Sequence, residues 1–482
     1  MNTFPGHFPV AFLLMAAIGL SSAQSPAQSV VTLHNFTPLI SNTNYDGANP
    51  YAALAVSGNT LYGSTFNGGA DSNATLFAVN TDGTHFTNVY TFSLRTGLLH
   101  TNGDGAQCIG GVILSGNTLY GTTAAGGALA RGTIFAINTD GTSFTNLHSF
   151  TGNGDGSATV AGLVMSGSAL YGACQGGGTN GLGLIFSINT NGSAYTKLHS
   201  FPTTVSGTNS EGAQPLASMI LSGSTLFGTT STGGSGGKGS LFRMNTDGSS
   251  FTNLHSFSAL VSNTNSDGAQ PFGGLTLSGN TLFGATLSGG PSSNGVLFKL
   301  NIDGLGFTNL HNFSGLNNRT NRDGANPYGT LFLSGNTLYG TASAGGSFSN
   351  GTVFVINTDG TGFQVLYNFT GLLNNTNADG AGPVSGILWS NTLYGMTHNG
   401  GSGSNGTVFS LFMPPPLAIS ASATNAILAW PTNAAGFTLQ SIADLRPPAV
   451  WSNVLSAPVN INGQNVVTNP VPGAQMFYRL AR

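Results

Sequence analysis

The sequence repeats one unit seven times, and the internal spacing of that unit is nearly invariant. A motif of the type TLYG recurs at intervals of 51 to 58 residues, and in all seven units a phenylalanine of the next apolar segment lies 14 residues after the motif glycine. The variation in length therefore lies in the connections between units, whereas the spacing inside each unit is constant. This is typical of a chain built from stacked copies of one supersecondary structure. The motif glycines are Gly63, Gly121, Gly172, Gly228, Gly284, Gly340 and Gly395.

Each unit predicts four short antiparallel strands. In the second unit these are Gly111–Leu114, Thr118–Thr123, Thr133–Asn138 and Phe144–Phe150, separated by turn sequences such as SGN and TDGT. One four-stranded sheet cannot bury both of its faces alone. Sheets that stack radially bury their faces against their neighbours, so the repeat predicts a β-propeller.

The first and last units predict how the repeat closes. The seventh unit ends after its third strand, Thr407–Phe412, whereas the segment Val30–Phe36 (VVTLHNF) matches fourth strands such as FTNLHSF and belongs to no complete unit. We therefore expect an all-β fold, with a seven-bladed β-propeller over residues 30–412 that is closed by its N-terminal strand. The alternative, an open solenoid, would require complete units and capped ends.

The repeat stops at residue 412, and a proline-rich linker follows at residues 413–416. Residues 417–482 contain segments of alternating polarity, such as AILAWP and GFTLQS. This pattern predicts a small C-terminal β-sandwich, loosely similar to fibronectin type III modules. The aromatic residues Trp430, Phe437, Trp451 and Tyr478 also lie in this region.

Composition and the N-terminus predict the location of the protein. Asp, Glu, Lys and Arg make up 5% of the sequence, against roughly 25% in typical globular domains, and the formal net charge is -3. This balance gives no electrostatic basis for binding nucleic acid. The apolar segment Phe8–Leu20 predicts a signal peptide over residues 1–23, with cleavage after Ala23, and no other segment has the length of a membrane span. We expect a secreted or cell-surface monomer.

The complete units resemble a known repeat. Gly324–Phe369 (GANPYGTLFLSGNTLYGTASAGGSFSNGTVFVINTDGTGFQVLYNF) is similar to the GloVer-type tandem repeat of exported bacterial "choice-of-anchor" proteins. The resemblance covers residues 30–412, with several motifs in register. It implies a secreted or surface β-propeller protein whose C-terminus varies between members, and it implies no catalytic residue.

The acidic residues fall into two repeated sets. One set occupies the turn between strands three and four, where Asn191 replaces Asp in one unit, so a side-chain hydrogen bond is what that turn requires. The other set, on the connection between units, always keeps a carboxylate. It either accepts backbone N–H bonds that fix each connection or forms a loop-face ring that binds a ligand or a cation such as Ca²⁺. This second set is Asp46, Asp104, Asp155, Glu211, Asp267, Asp323 and Asp379.

Five of the nine histidines share one position in the fourth strand, where tyrosine replaces them at Tyr90 and Tyr367. Interchange with tyrosine predicts a half-buried ring with a hydrogen-bonding tip rather than a metal ligand or a catalytic base. Strand alternation would place Phe144, Asn146, His148 and Phe150 on one face. Two other histidines, His85 and His398, are isolated and predict no role. The repeated histidines are His34, His148, His199, His255 and His311.

The two cysteines lie in neighbouring units. Cys108 precedes the first strand of the second unit, and Cys174 lies late in the second strand of the third. They predict either a disulfide that joins these two units or two buried free thiols.

The sequence favours binding over catalysis. A glycosidase needs two carboxylates in different environments, and the acids here are almost all repeat positions. The connections vary in length and are rich in Asn, Thr and Ser, which suits a glycan or a surface protein as partner. We expect a non-catalytic binding or adhesion scaffold. The alternatives are an exported polysaccharide hydrolase or lyase and a purely structural envelope protein.

Overall fold

The protein is described by a computed structural model. The predicted signal peptide, residues 1–23, and the three prolines of the predicted linker lie outside the described residues. Within the described ranges every regular element is a β-strand, and the fold is all-β. The structure describes residues 29–413, 417–422, 425–431, 437–444, 446, 450–461, 463–470 and 476–481.

The strands of the repeat follow the predicted order in each unit. The N-terminal strand and the first three units contain β1 (Val30–Asn35), β2 (Ala48–Pro50), β3 (Ala55–Ser57), β4 (Thr60–Asn67), β5 (Thr75–Asn80), β6 (Thr87–Thr91), β7 (Val112–Ser115), β8 (Thr118–Thr123), β9 (Thr133–Asn138), β10 (Thr145–Ser149), β11 (Val164–Ser166), β12 (Ala169–Cys174), β13 (Leu184–Asn189) and β14 (Thr196–Ser200). The last four units contain β15 (Ile220–Ser222), β16 (Thr225–Thr230), β17 (Ser240–Asn245), β18 (Thr252–Ser256), β19 (Thr276–Ser278), β20 (Thr281–Thr286), β21 (Val296–Asn301), β22 (Thr308–Asn312), β23 (Ala325–Pro327), β24 (Phe332–Ser334), β25 (Thr337–Ala344), β26 (Thr352–Asn357), β27 (Gln364–Asn368), β28 (Ala381–Trp389), β29 (Thr392–Asn399) and β30 (Thr407–Phe412).

Each unit forms one antiparallel sheet in which consecutive strands are neighbours. The second unit has the order β7-β8-β9-β10, and in the first and sixth units the first strand is divided into two short segments that both pair with the second strand. The seventh sheet has the order β1-β30-β29-β28, with Val30 opposite Leu411 and Asn35 opposite Thr407. The predicted pairing of the N-terminal strand with the last unit is therefore confirmed.

The apolar clusters lie between neighbouring sheets. The ring of Phe92, at the end of the first unit, is 5.5 Å from that of Phe135 in the second unit, and both are fully buried. Phe36, which follows β1, packs in the same way against Phe77 of the first unit at 5.4 Å. The sheet that β1 completes therefore contacts the first unit as the other sheets contact their neighbours.

The motif glycine is required by this packing. A Cβ atom on Gly121 would lie 2.4 Å from Cζ of Phe135, and the motif glycines of the other units face their own phenylalanine at similar distances. The phenylalanine ring therefore lies directly over the backbone of the second strand, a close approach that only glycine permits. This contact explains the invariant spacing of 14 residues between the two positions.

The fourth strand corrects one sequence prediction. Strict alternation over Phe144–Phe150 is wrong, because a β-bulge lies between Asn146 and His148. The bulge reverses the direction of the side chains. Phe144 stacks on Tyr90 of the preceding unit, whereas His148 stacks on Tyr195 of the following one. One strand thus provides aromatic contacts to both neighbours.

The C-terminal region forms two further antiparallel sheets, ordered β31-β32-β36-β35 and β34-β33-β37. They share one apolar cluster that contains Leu428, Trp430, Leu439 and Val467. No helix in the described ranges combines the length and hydropathy of a membrane span. The strands are β31 (Ala418–Ser422), β32 (Asn425–Pro431), β33 (Thr438–Ile442), β34 (Ser452–Asn453), β35 (Val459–Ile461), β36 (Gln464–Pro470) and β37 (Phe477–Ala481).

Candidate functional site

The carboxylates on the connections between units accept hydrogen bonds from the fourth strand that precedes them. Asp46 accepts from Nε2 of His34 at 2.9 Å, from the backbone N–H of Thr37 at 3.0 Å and from the Thr37 hydroxyl. Tyrosine serves equally well where it replaces histidine, since the Tyr90 hydroxyl donates to Asp104 at 2.8 Å. Asp267, Asp323 and Asp379 repeat the pattern with His255, His311 and Tyr367.

Two units depart from this pattern for reasons visible in the sequence. In the connection that leads into the fourth unit, the residue after the closing phenylalanine of the third unit is Pro202, which has neither an N–H nor a hydroxyl, and the longer Glu211 reaches Nε2 of His199 at 2.9 Å. The connection from the second to the third unit is short, and there Asp155 accepts from Thr151 N at 3.0 Å while Nε2 of His148 lies 3.3 Å away. Glutamate thus takes the place of aspartate on the connection where proline removes the backbone and hydroxyl donors.

The histidine rings also join neighbouring units by stacking. His34 lies parallel to Phe86 at 3.6 Å, and His311 lies parallel to Phe363 at 3.7 Å. The predicted half-buried ring with a hydrogen-bonding tip is confirmed. The serine or threonine hydroxyl lies on the carboxylate and not on the imidazole, so the group is not arranged to activate a nucleophile.

The environment favours the ionised form of three of these carboxylates, those of Asp46, Asp267 and Asp323. Burial raises the pKa of Asp46, but the hydrogen bonds from His34 and Thr37 outweigh burial, and the net pKa lies below its ordinary value. The pKa values of Asp267 and Asp323 are lowered by the same balance. In the part of the chain that the structure describes, no three His, Cys, Asp or Glu side chains converge where a metal ion could be held. Ca²⁺ binding here would have to displace protein donors.

Sequence reasoning missed the asparagine two residues before each of these acids. Oδ1 of Asn265 accepts from the N–H groups of Gly268 and Gly290 at 2.9 and 2.7 Å, and its Nδ2 donates to the carbonyls of Ser258 and Gly268. The side chain thereby joins the connection to the loop between strands two and three. The repeated pattern Asn-x-Asp/Glu-Gly is present in all seven units and was the available signal. The short third connection lacks the asparagine bonds seen in the other six.

Of the two alternatives for the cysteines, the structure has the free thiols. Cys108 and Cys174 are both buried, unpaired and placed in different apolar clusters, so the disulfide is not formed. Burial raises the pKa of Cys108 to about 12 and that of Cys174 well above its ordinary value. Both thiols stay protonated at neutral pH and therefore behave as small apolar side chains.

A central cavity of about 530 Å³ is lined by residues from all seven units. Each unit contributes the residue that opens its first strand region, one position after the repeated proline where that proline is present. We call these seven residues the collar. The fold is propeller-like in this respect, because the sheets surround a shared space. The collar consists of Tyr51, Ile109, Val160, Leu216, Phe272, Tyr328 and Val384.

The collar is aromatic on one side and aliphatic on the other. Tyr51 lies 5.8 Å from Tyr328 and 5.9 Å from Phe66, and Phe272 lies 5.7 Å from Tyr328. His398, for which the sequence predicted no role, lies 4.2 Å from Tyr51 and completes this side. We call Tyr51, Phe66, Phe272, Tyr328 and His398 the aromatic wall. The sequence signal for the collar was a position whose apolar character is kept while its size changes.

Three glutamines bring amide groups to the cavity. Oε1 of Gln214 accepts from Thr232 at 3.2 Å, and Oε1 of Gln270 accepts from Ser288 at 2.9 Å. Within the described residues the Nε2 groups of both, and the whole side-chain amide of Gln175, make no hydrogen bond to the protein. Gln214 and Gln270 have positive φ angles of 56° and 58°, and each donates its backbone N–H to the preceding unit. This left-handed conformation ties their placement to the contact between units.

The cavity is uncharged at neutral pH. Among the described residues that line it, none is Asp, Glu, Lys or Arg. Burial lowers the pKa of His398, with an opposing contribution from the Pro50 backbone, and burial raises the pKa of Tyr51 and brings that of Tyr328 to about 12. The site therefore offers aromatic faces, amides and hydroxyls but no ionic group.

A match to a family model establishes the family to which the repeat belongs. A model of the Gloeobacter/Verrucomicrobia repeat matches residues 20–209, 95–262 and 202–322, which together span 20–322. The chain belongs to this family. The predicted tandem-repeat resemblance is thereby confirmed. No curated protein matches the sequence.

Among solved structures the likenesses are distant. TolB from Acinetobacter baumannii shares 16% identity at a TM-score of 0.35, over 61% of this chain and 59% of its own. The tricorn protease shares 10% identity at a TM-score of 0.37, over 85% and 35%. An oligogalacturonate lyase in complex with manganese shares 10% at 0.43, over 76% and 91%. This chain spans less than two thirds of the length of the first two, and no functional argument rests on any of the three.

Proposed function

We propose that the protein is a secreted or cell-surface scaffold that binds a ligand, a glycan or a protein, without chemical turnover. In this proposal residues 30–412 form a seven-bladed β-propeller, residues 1–23 are its signal peptide, and residues 417–482 form a β-sandwich module. The seven sheets, the place of β1 in the seventh and the cavity lined by all units support this architecture. The ligand site is the central cavity at the end that carries the three glutamines.

The observation that carries the proposal is the asymmetry of the cavity lining. Structural positions such as the motif glycine and its phenylalanine are the same in every unit. The collar, in contrast, changes from Val160 to Tyr51, although the backbone around it is repeated. A repeated fold does not require one aromatic side and three amides whose Nε2 groups have no partner among the described protein residues. Such a grouping in a concave, apolar pocket is typical of a ligand site.

The lining supports binding rather than hydrolysis or elimination. Glycoside hydrolysis uses a pair of carboxyl groups, and no carboxyl group lies among the described residues of the cavity. Its titratable side chains are the half-buried His398 and the two collar tyrosines, and none has an acidic or basic partner among the described residues that line it. The repeated carboxylates elsewhere already accept several bonds from their own connections.

A glycan array and a pull-down from surface extracts test the function, with the purified protein and two variants. Leu216→Trp adds a large ring to the cavity, and Val205→Trp adds the same ring to a connection where Val205 is 75% exposed. We expect a retained glycan or protein whose binding Leu216→Trp reduces about tenfold or more and Val205→Trp leaves unchanged. Uniformly negative arrays and pull-downs would overturn the proposal. Loss only in Val205→Trp would overturn the placement in the cavity.

A further inference from the structure

We propose that the cavity binds the end of a neutral saccharide chain, with one sugar ring against Tyr51 and Tyr328 and its hydroxyls on the three glutamines. This inference rests on the proposed binding function and names its ligand class. It uses three properties of the site that are independent of one another: the aromatic wall, the amides and the absence of charge.

The aromatic wall offers a platform of the right kind. Tyr51 and Tyr328 are half-buried, come from the first and sixth units, and approach each other to 5.8 Å. In the order of the sheets around the cavity the seventh unit lies between the sixth and the first, and its collar residue is the smaller Val384, so the two tyrosines meet across it. A pyranose ring presents C–H groups on its faces, and such faces pack against the apolar body of an aromatic ring while the tyrosine hydroxyl stays available to water or ligand.

The amides match the other half of a sugar. A primary amide provides two donors and one acceptor, and a sugar hydroxyl can satisfy either kind. Gln175 and the Nε2 groups of Gln214 and Gln270 have no bond to the described protein residues, so each is available for a hydroxyl. An apolar peptide side chain in this position would bury these amides without partners, at an energetic cost. The site therefore favours a polyhydroxylated ligand over an apolar one.

The absence of charge narrows the saccharide class. An ionised uronic acid or a protonated amino sugar would lose hydration in the cavity without meeting an opposite charge. The volume of about 530 Å³ lies in the range of small-ligand pockets. Recognition of a folded partner would need about 800 Å² of surface on each side, far more than a cavity of this kind offers. A neutral chain end of one or a few sugar rings fits these limits.

The test uses cellotriose, maltotriose, xylotriose and mannotriose as neutral probes, with trigalacturonic acid and an apolar tetrapeptide as comparators. Saturation-transfer NMR and calorimetry are measured on the wild-type protein. We expect at least one neutral trisaccharide to bind, with saturation transferred from aromatic protons to one terminal sugar. Binding of only the acid or only the peptide would overturn the saccharide inference and leave the binding function standing. Failure of every probe, with negative arrays, would remove both.

Variants then test the placement. Tyr51→Leu keeps apolar volume but removes the aromatic face, and Tyr328→Ala removes the second ring. Their matched control is Tyr45→Ala, on a connection where Tyr45 is 70% exposed and outside the cavity. We expect the affinity for the bound trisaccharide to fall about tenfold or more in both cavity variants and to stay within about twofold in the control. The reverse order would place the saccharide on the connections and overturn the inference.

Two glutamine variants test the proposed hydrogen bonds between the amides and the sugar hydroxyls. In Gln214→Leu and Gln270→Leu the donor is lost while the size is nearly kept, and we expect each to weaken the trisaccharide by about fivefold to tenfold. Unfolding curves of all variants confirm that they are folded. Unchanged affinity in both glutamine variants would contradict recognition through the amides.

Discussion

The connections and the cavity lining use the same repeated backbone in opposite ways. On the connections a carboxylate meets histidine or tyrosine in every unit, and substitutions keep the hydrogen bond, as Tyr90 and Asp104 show. In the cavity the equivalent positions range from Val160 to Tyr51. Every unit needs the first set in order to hold its neighbour. The second set differs between units, and its asymmetry is the basis of the proposed ligand site.

The largest expected effect is on the free energy of unfolding when one large side chain in each region is replaced by alanine. Phe36 is fully buried between the seventh sheet and the first unit, so Phe36→Ala should lower the free energy of unfolding by about 3–5 kcal/mol. Leu216 of the collar is half-buried beside open space, and Leu216→Ala should cost about 1 kcal/mol or less. Urea unfolding followed by circular dichroism measures both. Equal losses would mean that the collar carries as much of the packing as the repeated positions.

The packing of the closing sheet can be tested by comparing Phe36 with the phenylalanine at the same repeat position in an internal unit. Phe150, between the second and third units, is the internal counterpart of Phe36 and is also fully buried. Phe150→Ala should therefore cost as much as Phe36→Ala. A clearly smaller loss for Phe36→Ala would contradict equal packing of the closing sheet.

The next largest loss of stability is expected from substituting carboxylates on the connections. Asp267 accepts from His255 and from both the N–H and the hydroxyl of Ser258, and its side chain is 12% exposed. Asp267→Asn places an amide donor against these donors and should cost about 2 kcal/mol. Glu211 has His199 as its side-chain donor and is 30% exposed, so Glu211→Gln should cost about 1 kcal/mol or less. Chemical denaturation measures the difference, and the opposite ranking would contradict the donor count.

The pH dependence follows from the same carboxylates. The folded pKa values of Asp46, Asp267 and Asp323 lie below the ordinary 3.8, so their contribution is present above that pH and is lost as pH falls through the folded values. We expect a melting temperature that is steady near neutral pH and decreases below about pH 4. Asp267→Asn should show a shallower decrease than the wild type. A parallel decrease in both proteins would place the acid sensitivity elsewhere.

The sequence predicted the repeated contacts far better than the site. The pairing of β1 with β30 follows from counting strands. In the turn between strands three and four of the first unit, Asp82 accepts from the N–H of Thr84 at 2.9 Å, as short-range turn chemistry predicts. The bulge at His148 was missed, because alternation carries no information about an inserted residue. The aromatic wall was also missed, because Tyr51, Tyr328 and His398 are far apart in sequence and meet only through the arrangement of whole sheets around the cavity.

The smallest expected effect concerns calcium. A bound Ca²⁺ takes about six to eight oxygen ligands, whereas the oxygens of Asp46 and Asp267 already accept bonds from histidine, hydroxyl and backbone donors. We therefore expect the melting temperature to stay constant when a chelator or millimolar Ca²⁺ is added. A saturable rise with Ca²⁺ that is lost in Asp267→Asn would show that the connections bind cations. In that case the repeated carboxylate would be a ligand site as well as a structural one, and repetition would no longer separate structural from binding positions in this protein.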